Sequence, residues 1–177
     1  MDFAYGYAAA IRSRLTFRPL VYGYSNARVR AMRTLLLTRR QTEDLLKVRT
    51  NAAVAEYLMR SPYRDDFANM PPKITDEERV ELAISRNFAR TSQKLLRITP
   101  QQSRQTLRAF LGRYDVHNLK AVLLAKKLGR NREETQQLLL PAGSLSSGEL
   151  SQMLLAKSPE ELYESIRATE FGASFLS

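Results

Sequence analysis

The side chains that could do chemistry in this chain are few. His117 is the only histidine, and there is no cysteine. One imidazole without thiolates cannot hold a structural zinc ion. A catalytic triad would have only His117 as its base, and His117 falls inside a mostly apolar helical run. Paired carboxylates occur at Asp65-Asp66, Glu77-Glu78 and Glu133-Glu134. They lie at loops and helix starts, where capping and solvation account for them, so acid/base work of the glycosidase kind is unsupported. No Gly-x-x-x-x-Gly-Lys-Ser/Thr or Gly-x-Gly-x-x-Gly motif occurs, and the seven glycines lie apart. The expectation is a non-enzyme, with no catalytic, cofactor-binding or metal residues and no cofactor.

The polar residues that stand out are Asp115, His117 and Asn118, which interrupt the run Phe110–Gly129. Leu107, Leu111, Tyr114, Asn118, Ala121, Ala125 and Leu128 step by three or four and share one helical face. Val116, Leu119, Val122 and Leu123 add a second apolar stripe. A helix apolar over so much of its girth is expected between other elements. A buried polar group must find a partner or cost on the order of 1–3 kcal/mol. Asp115 and His117 therefore either face solvent or, like Asn118 on the main stripe, point at polar groups of a neighbouring helix. Gly129 is placed to end the helix in a left-handed conformation, and Lys126 and Lys127 suit its negative end.

The elements around this helix read as helical too. Phe3, Tyr7, Ile11 and Leu15 predict an amphipathic helix from Phe3 to Arg18, an Arg-bearing segment of targeting or interfacial type. Pro19 is read as separating it from the next helix, which runs from Asn26 to about Arg39. Short helices follow over Thr42–Arg49 and Asn51–Met59, and Ser61–Pro72 is a loop. Thr75 with Glu78 forms a capping box that opens a helix reaching about Ile98. Asn131 with Glu134, Ser146 with Glu149, and Ser158-Pro-Glu-Glu161 mark three more starts. Strand signals are nearly absent, so the fold class is all-α. The longest or most buried helix is expected over Pro100–Lys127.

Composition narrows the classes further. The 177 residues suffice for one or two small domains with a sizeable core. No uncharged apolar run approaches the ~18–20 residues of a membrane span. The lack of cysteine suits a reducing compartment. The net charge is +10, and it is uneven: residues 1–60 hold eleven Lys/Arg against four Asp/Glu, residues 135–177 two against five. Such a basic front suits phosphates, anionic lipid or an acidic protein face, or is simply a solvated helix surface.

Two blocks carry a family resemblance. Arg113-Tyr-Asp-Val-His-Asn-Leu-Lys120, with the aliphatic run after it, resembles a motif of the C subunit of archaeal A-type and bacterial V-type ATP synthases, whose eukaryotic counterpart is the d subunit of the vacuolar ATPase. Tyr22-Gly-Tyr-Ser-Asn-Ala-Arg-Val-Arg-Ala-Met32 resembles the opening motif of the same family. The resemblance runs from Tyr22 to the end, in a chain about half the usual length. It implies three related helical units around a pseudo-threefold axis, forming a funnel-shaped socket. Residues 1–21 would then be an N-terminal extension, 22–142 the first helical unit, and 143–177, after the turn-rich joint Pro141–Gly148, the partial second unit.

The resemblance also implies a function. This would be a non-catalytic part of the central rotor that couples the central stalk to the membrane rotor ring, transmitting torque for ion-driven ATP synthesis or hydrolysis. It would be cytoplasmic, with membrane contact only through the ring and no nucleic acid bound. A half-length chain would expose apolar seams on its terminal helices, and these would drive self-association. The competing reading is a basic all-α nucleic-acid-binding module, resting on the net charge and the Arg-rich Arg28–Arg40 stretch. A membrane-surface protein held by the N-terminal segment is a third. Because a carboxylate inside a bundle needs a cation or several donors, a clamp is expected in which Arg28 or Arg30 grips Asp115 or Asn118.

Overall fold

The computed structural model describes residues 18–175, and these fold into α-helices with no strand among them. In chain order they are α1 (Arg18–Arg33), α2 (Arg39–Leu46), α3 (Asn51–Met59), α4 (Asp76–Ile98), α5 (Gln101–Leu128), α6 (Arg132–Leu138), α7 (Ser147–Leu155), α8 (Pro159–Arg167) and α9 (Glu170–Phe175). A single 3-10 turn, Arg64–Phe67, breaks the loop between α3 and α4. The all-α reading holds, and α5 is the longest helix at 28 residues. The proposed Phe3–Arg18 helix lies outside the described residues, save for its last position.

Local chemistry sets most boundaries. Thr75 accepts a hydrogen bond from the Glu78 amide, and the Glu78 carboxylate accepts one from the Thr75 amide at 2.7 Å. Ser146 and Glu149 repeat that box on α7. Ser158 caps α8, with Pro159 in the first turn. Gly129 ends α5 at φ 61°, in the left-handed region. Asn131 caps α6 where expected, although it accepts from the Glu133 amide, not that of Glu134. Elsewhere the boundaries shift. Pro19 does not interrupt the chain but sits inside the first turn of α1, where its missing donor would have had no partner in any case. α2 starts at Arg39, earlier than expected, because Thr38 and Gln41 form a capping box of their own.

Helices α4 and α5 form the central hairpin, turning at Thr99-Pro100. Phe88 and Tyr114 meet across it with ring centroids 5.1 Å apart. One apolar cluster, Ala55, Leu58, Phe67 and Ala83, joins α3, the 3-10 turn and the first half of α4. The other, Val122, Leu145, Leu150, Met153 and Leu162, joins the second half of α5 to α7 and α8. The segment after residue 143 thus shares a core with α5. Helix α1 leans on the hairpin's turn: the Tyr22 hydroxyl lies 2.8 Å from Ser103 Oγ, and the Ser25 hydroxyl donates to the Ile98 carbonyl.

One expectation about α5 fails. Its buried residues are Leu111, Asp115, Asn118, Val122 and Ala125, which form a single stripe. Val116, Leu123 and Leu128 are exposed, so α5 is covered on one side only. Among the described residues, the outer face of α5 carries Phe110, Val116, Leu123, Leu124 and Leu128 exposed; the seams expected on the terminal helices fall partly outside the described residues.

Candidate functional site

The site begins with three residues of the buried stripe, Leu111, Asp115 and Asn118, successive steps of four and three on α5. Opposite the two polar ones runs the joint Leu139–Ser146, irregular backbone between α6 and α7 whose amides and carbonyls have no helical ladder to satisfy them. Asp115 and Asn118, both fully buried, supply the missing partners. The two Asp115 carboxylate oxygens accept from the amides of Leu145 (2.9 Å) and Ser144 (2.8 Å). Asn118 makes a two-way contact with one residue: its Nδ2 donates to the Leu140 carbonyl and its Oδ1 accepts from the Leu140 amide, each at 2.8 Å.

Helix α4 closes the joint from the other side. Gln93 Nε2 donates to the carbonyls of Gly143 (2.7 Å) and Pro141 (3.2 Å). Between these two grips the backbone passes so close to Asp115 that a Cβ on Gly143 would lie 2.2 Å from its Oδ1. Only glycine fits there. Downstream, Lys126 Nζ donates to the carbonyls of Leu154 (3.1 Å) and Ala156, at the end of α7. That lysine, at the C-terminus of α5, therefore also serves the C-terminus of a second helix.

Burial pushes the Asp115 carboxyl above its ordinary value of 3.8, and the nearby Glu149 charge adds to this; the two amide bonds pull the other way without cancelling it. The folded chain therefore holds this proton more tightly than the unfolded chain does. The corresponding stability is full below the unfolded pKa and is lost as pH rises through the raised folded value. Denaturant titrations across the acidic range should show wild type losing stability, relative to Asp115→Asn, as pH climbs through that window. A difference that grows with pH instead would reverse the assignment.

Arg28 and Arg30 take no part in the clamp. Both are exposed on α1, and the partners of Asp115 and Asn118 are backbone groups of the joint. Backbone donors reach a buried carboxylate without desolvating a guanidinium, which is the less costly arrangement. His117 points outward, exposed on the far side of α5. With both Asp115 oxygens engaged by amides, the constellation holds a shape and offers no free base.

A second clamp lies where the residue pattern indicated only solvated carboxylates. Asp66 is buried, and its Oδ2 accepts from Asn87 Nδ2 at 2.7 Å and from Arg90 Nη2 at 2.8 Å. Arg86 Nη1 donates to the carbonyls of Ala68 (2.7 Å) and Asp66 (3.3 Å). Helix α4 thus pins the preceding loop with Arg86, Asn87 and Arg90. The i, i+1, i+4 spacing of these polar groups on α4 was the one available signal. Beside the joint, Arg86, Arg90, Gln93, Arg97 and Leu138–Pro141 help line a groove of about 900 Å³; His117 is not among its lining residues.

Comparison with known proteins follows the same residues. The family model of the ATP synthase (C/AC39) subunit matches residues 25–177. The C subunit of the A-type ATP synthase of Methanothermobacter thermautotrophicus is 34% identical over 161 residues, covering 88% of this chain and 40% of the relative. That of Methanosphaera stadtmanae is 32% identical over 161 residues, covering 89% and 40%, and that of Methanosarcina mazei 29% over 150, covering 85% and 41%. The chain spans about two fifths of the length of the curated relatives it matches, rather than half. The clamp residues Asp115 and Asn118, the joint they hold and most of α1 all fall within the matched residues, and the chain belongs to the ATP synthase (C/AC39) subunit family.

Proposed function

We propose that this chain works as part of the central rotor of an A-type or V-type ATP synthase, joining the central stalk to the membrane rotor ring and passing torque between them. It does so without an active site, nucleotide or metal of its own. On this reading residues 22–142 form the first helical unit and 143–177 open the next. The chain lies on the cytoplasmic face and meets the membrane only through the ring; among the described residues, no helix is long and apolar enough to cross a membrane.

The observation that supports this most directly is the double grip on the Leu139–Ser146 joint. Torque is transmitted only through a body whose parts do not slip, and a joint between helices is where slippage would start. Here it is fixed by Asp115 and Asn118 from α5 and by Gln93 from α4. Buried hydrogen bonds of this kind select one geometry over its alternatives.

The test is uncoupling. Membranes from cells lacking the chain should keep ATP hydrolysis by the catalytic head but lose ATP-driven ion pumping, and pumping should return when the chain is restored. Pumping that persists without the chain would overturn the reading. A band shift of generic DNA by the purified chain at about 150 mM salt would favour the nucleic-acid module instead.

A further inference from the structure

The outer face of α5 has no partner among the described residues, and its pattern is regular. Arg113, Lys120 and Lys127 stand seven residues apart, so they return to nearly the same side after two turns. They lie directly opposite the buried stripe of Leu111, Asp115, Asn118, Val122 and Ala125. Largely apolar rows flank the cations on both sides: Val116 and Leu123 on one, and on the other Phe110, Leu124 and Leu128, with the exposed His117 between Phe110 and Leu124. Phe110 is 62% exposed and Leu124 52%. The only acid on α5 is Asp115, and it is buried on the other side.

The helix's remaining cations are engaged. Arg108 pairs with Glu170 at 2.6 Å, Arg104 donates to the Thr99 carbonyl, and Lys126 holds the end of α7. Arg113 lies over the rings of Phe110 and Tyr114, 5.0 and 4.9 Å from their centroids, and donates to the Tyr114 hydroxyl. None of these contacts brings it an anion. Lys120 and Lys127 are exposed and belong to no ion pair among the described residues.

We propose that this face docks an α-helix of another protein that carries Asp or Glu at seven-residue spacing between apolar rows. The period selects a helix, because only a helix running alongside repeats its contacts every seven residues. The arrangement argues against a lipid surface. An interfacial helix keeps an apolar centre and sends its cations to the polar side, whereas here the cations run down the middle and would be driven into the acyl layer. A second copy packed two-fold through this same face would set Arg113, Lys120 and Lys127 against like charges. Residues 1–17, with Arg12 and Arg14 and only Asp2 as acid, carry the wrong sign. The docking face stands whether or not the assembly is an ATP synthase.

The test is titration of the full chain with a labelled synthetic helical peptide of about four heptads, bearing Glu at every seventh position between leucine rows. A matched peptide with Lys at those positions is the control. The Glu peptide should bind at least ~10-fold more tightly, and the Lys120→Glu/Lys127→Glu chain should reverse that preference. Leu124→Ser should weaken binding of the Glu peptide. All three positions are exposed, so melting curves should stay unchanged. Equal binding of the two peptides, or a preference unmoved by the charge reversal, overturns the proposal. So does flotation with vesicles of about 30% phosphatidylserine that the double variant abolishes, or self-association that it abolishes in sedimentation. None of these outcomes bears on ion pumping, so the rotor reading stands or falls separately.

Discussion

Replacing Asp115 by Ala should destabilise the chain by roughly 2–5 kcal/mol, because two amides lose their acceptor, one of them buried, and an unsatisfied buried donor costs about 1–3 kcal/mol. For a chain of this size that is a fall of about 5–15 °C in melting temperature. The groups left without partners are the amides of Ser144 and Leu145, not an arginine, so charge-swapped variants at Arg28 or Arg30 should neither reproduce the loss nor rescue it. Asp115→Asn should fall between: its carbonyl can accept one amide, while its NH2 group would face the other. Hydrogen exchange gives the local signature. The amides of Ser144 and Leu145 should lose protection first in Asp115→Ala, and the α3–α4 amides last. A loss below about 1 kcal/mol would mean that the joint holds without the carboxylate.

Gly143→Ala should be as damaging, for a steric reason. The new methyl carbon would lie 2.2 Å from Asp115 Oδ1 and 2.4 Å from its Cγ, far inside van der Waals contact. Either the joint or the carboxylate must move, and either movement breaks the bonds to Ser144 and Leu145. The expected loss is about 2–5 kcal/mol, the range in which overpacking and a broken buried network combine. The two sites are in contact, so their effects should not add. In the Asp115→Ala background the clashing atoms are gone, and Gly143→Ala should cost clearly less than it does in wild type. A double-mutant cycle that returns simple additivity would show that the close approach is not what requires glycine.

The two clamps share a design. In each, polar side chains from the regular face of a long helix satisfy the backbone of an irregular segment: Asp115, Asn118 and Gln93 for Leu139–Ser146, and Arg86 for the carbonyls around Asp66 and Ala68. Irregular backbone can be buried only when such partners are provided. The α4–α5 hairpin therefore acts as the frame on which both loops are set.

The sequence by itself determined the helices and the family. Thr75 with Glu78, Ser146 with Glu149, Ser158 before Pro159, and Gly129 act within a few residues of themselves, so their effect is already complete in the local sequence. Thr38 with Gln41 obeys the same rule and is equally legible, although the expected start of α2 fell later. The presence of polar residues inside the apolar run of α5 was legible too, and marked Asp115 and Asn118 as needing partners. What only the tertiary structure decided was who those partners are. Backbone amides and carbonyls are carried by nearly every residue and leave no mark in the residue types, so nothing in the letters at Ser144, Leu145 or Leu140 singles them out, and an arginine was the more visible candidate. Asp66 is the converse case: a loop carboxylate in the sequence, a buried one in the fold, because Asn87 and Arg90 are brought to it by packing twenty-odd residues away. The covered and open sides of α5 were likewise undecided, since an apolar residue shows only that burial is favourable and not which neighbour, in this chain or another, provides it.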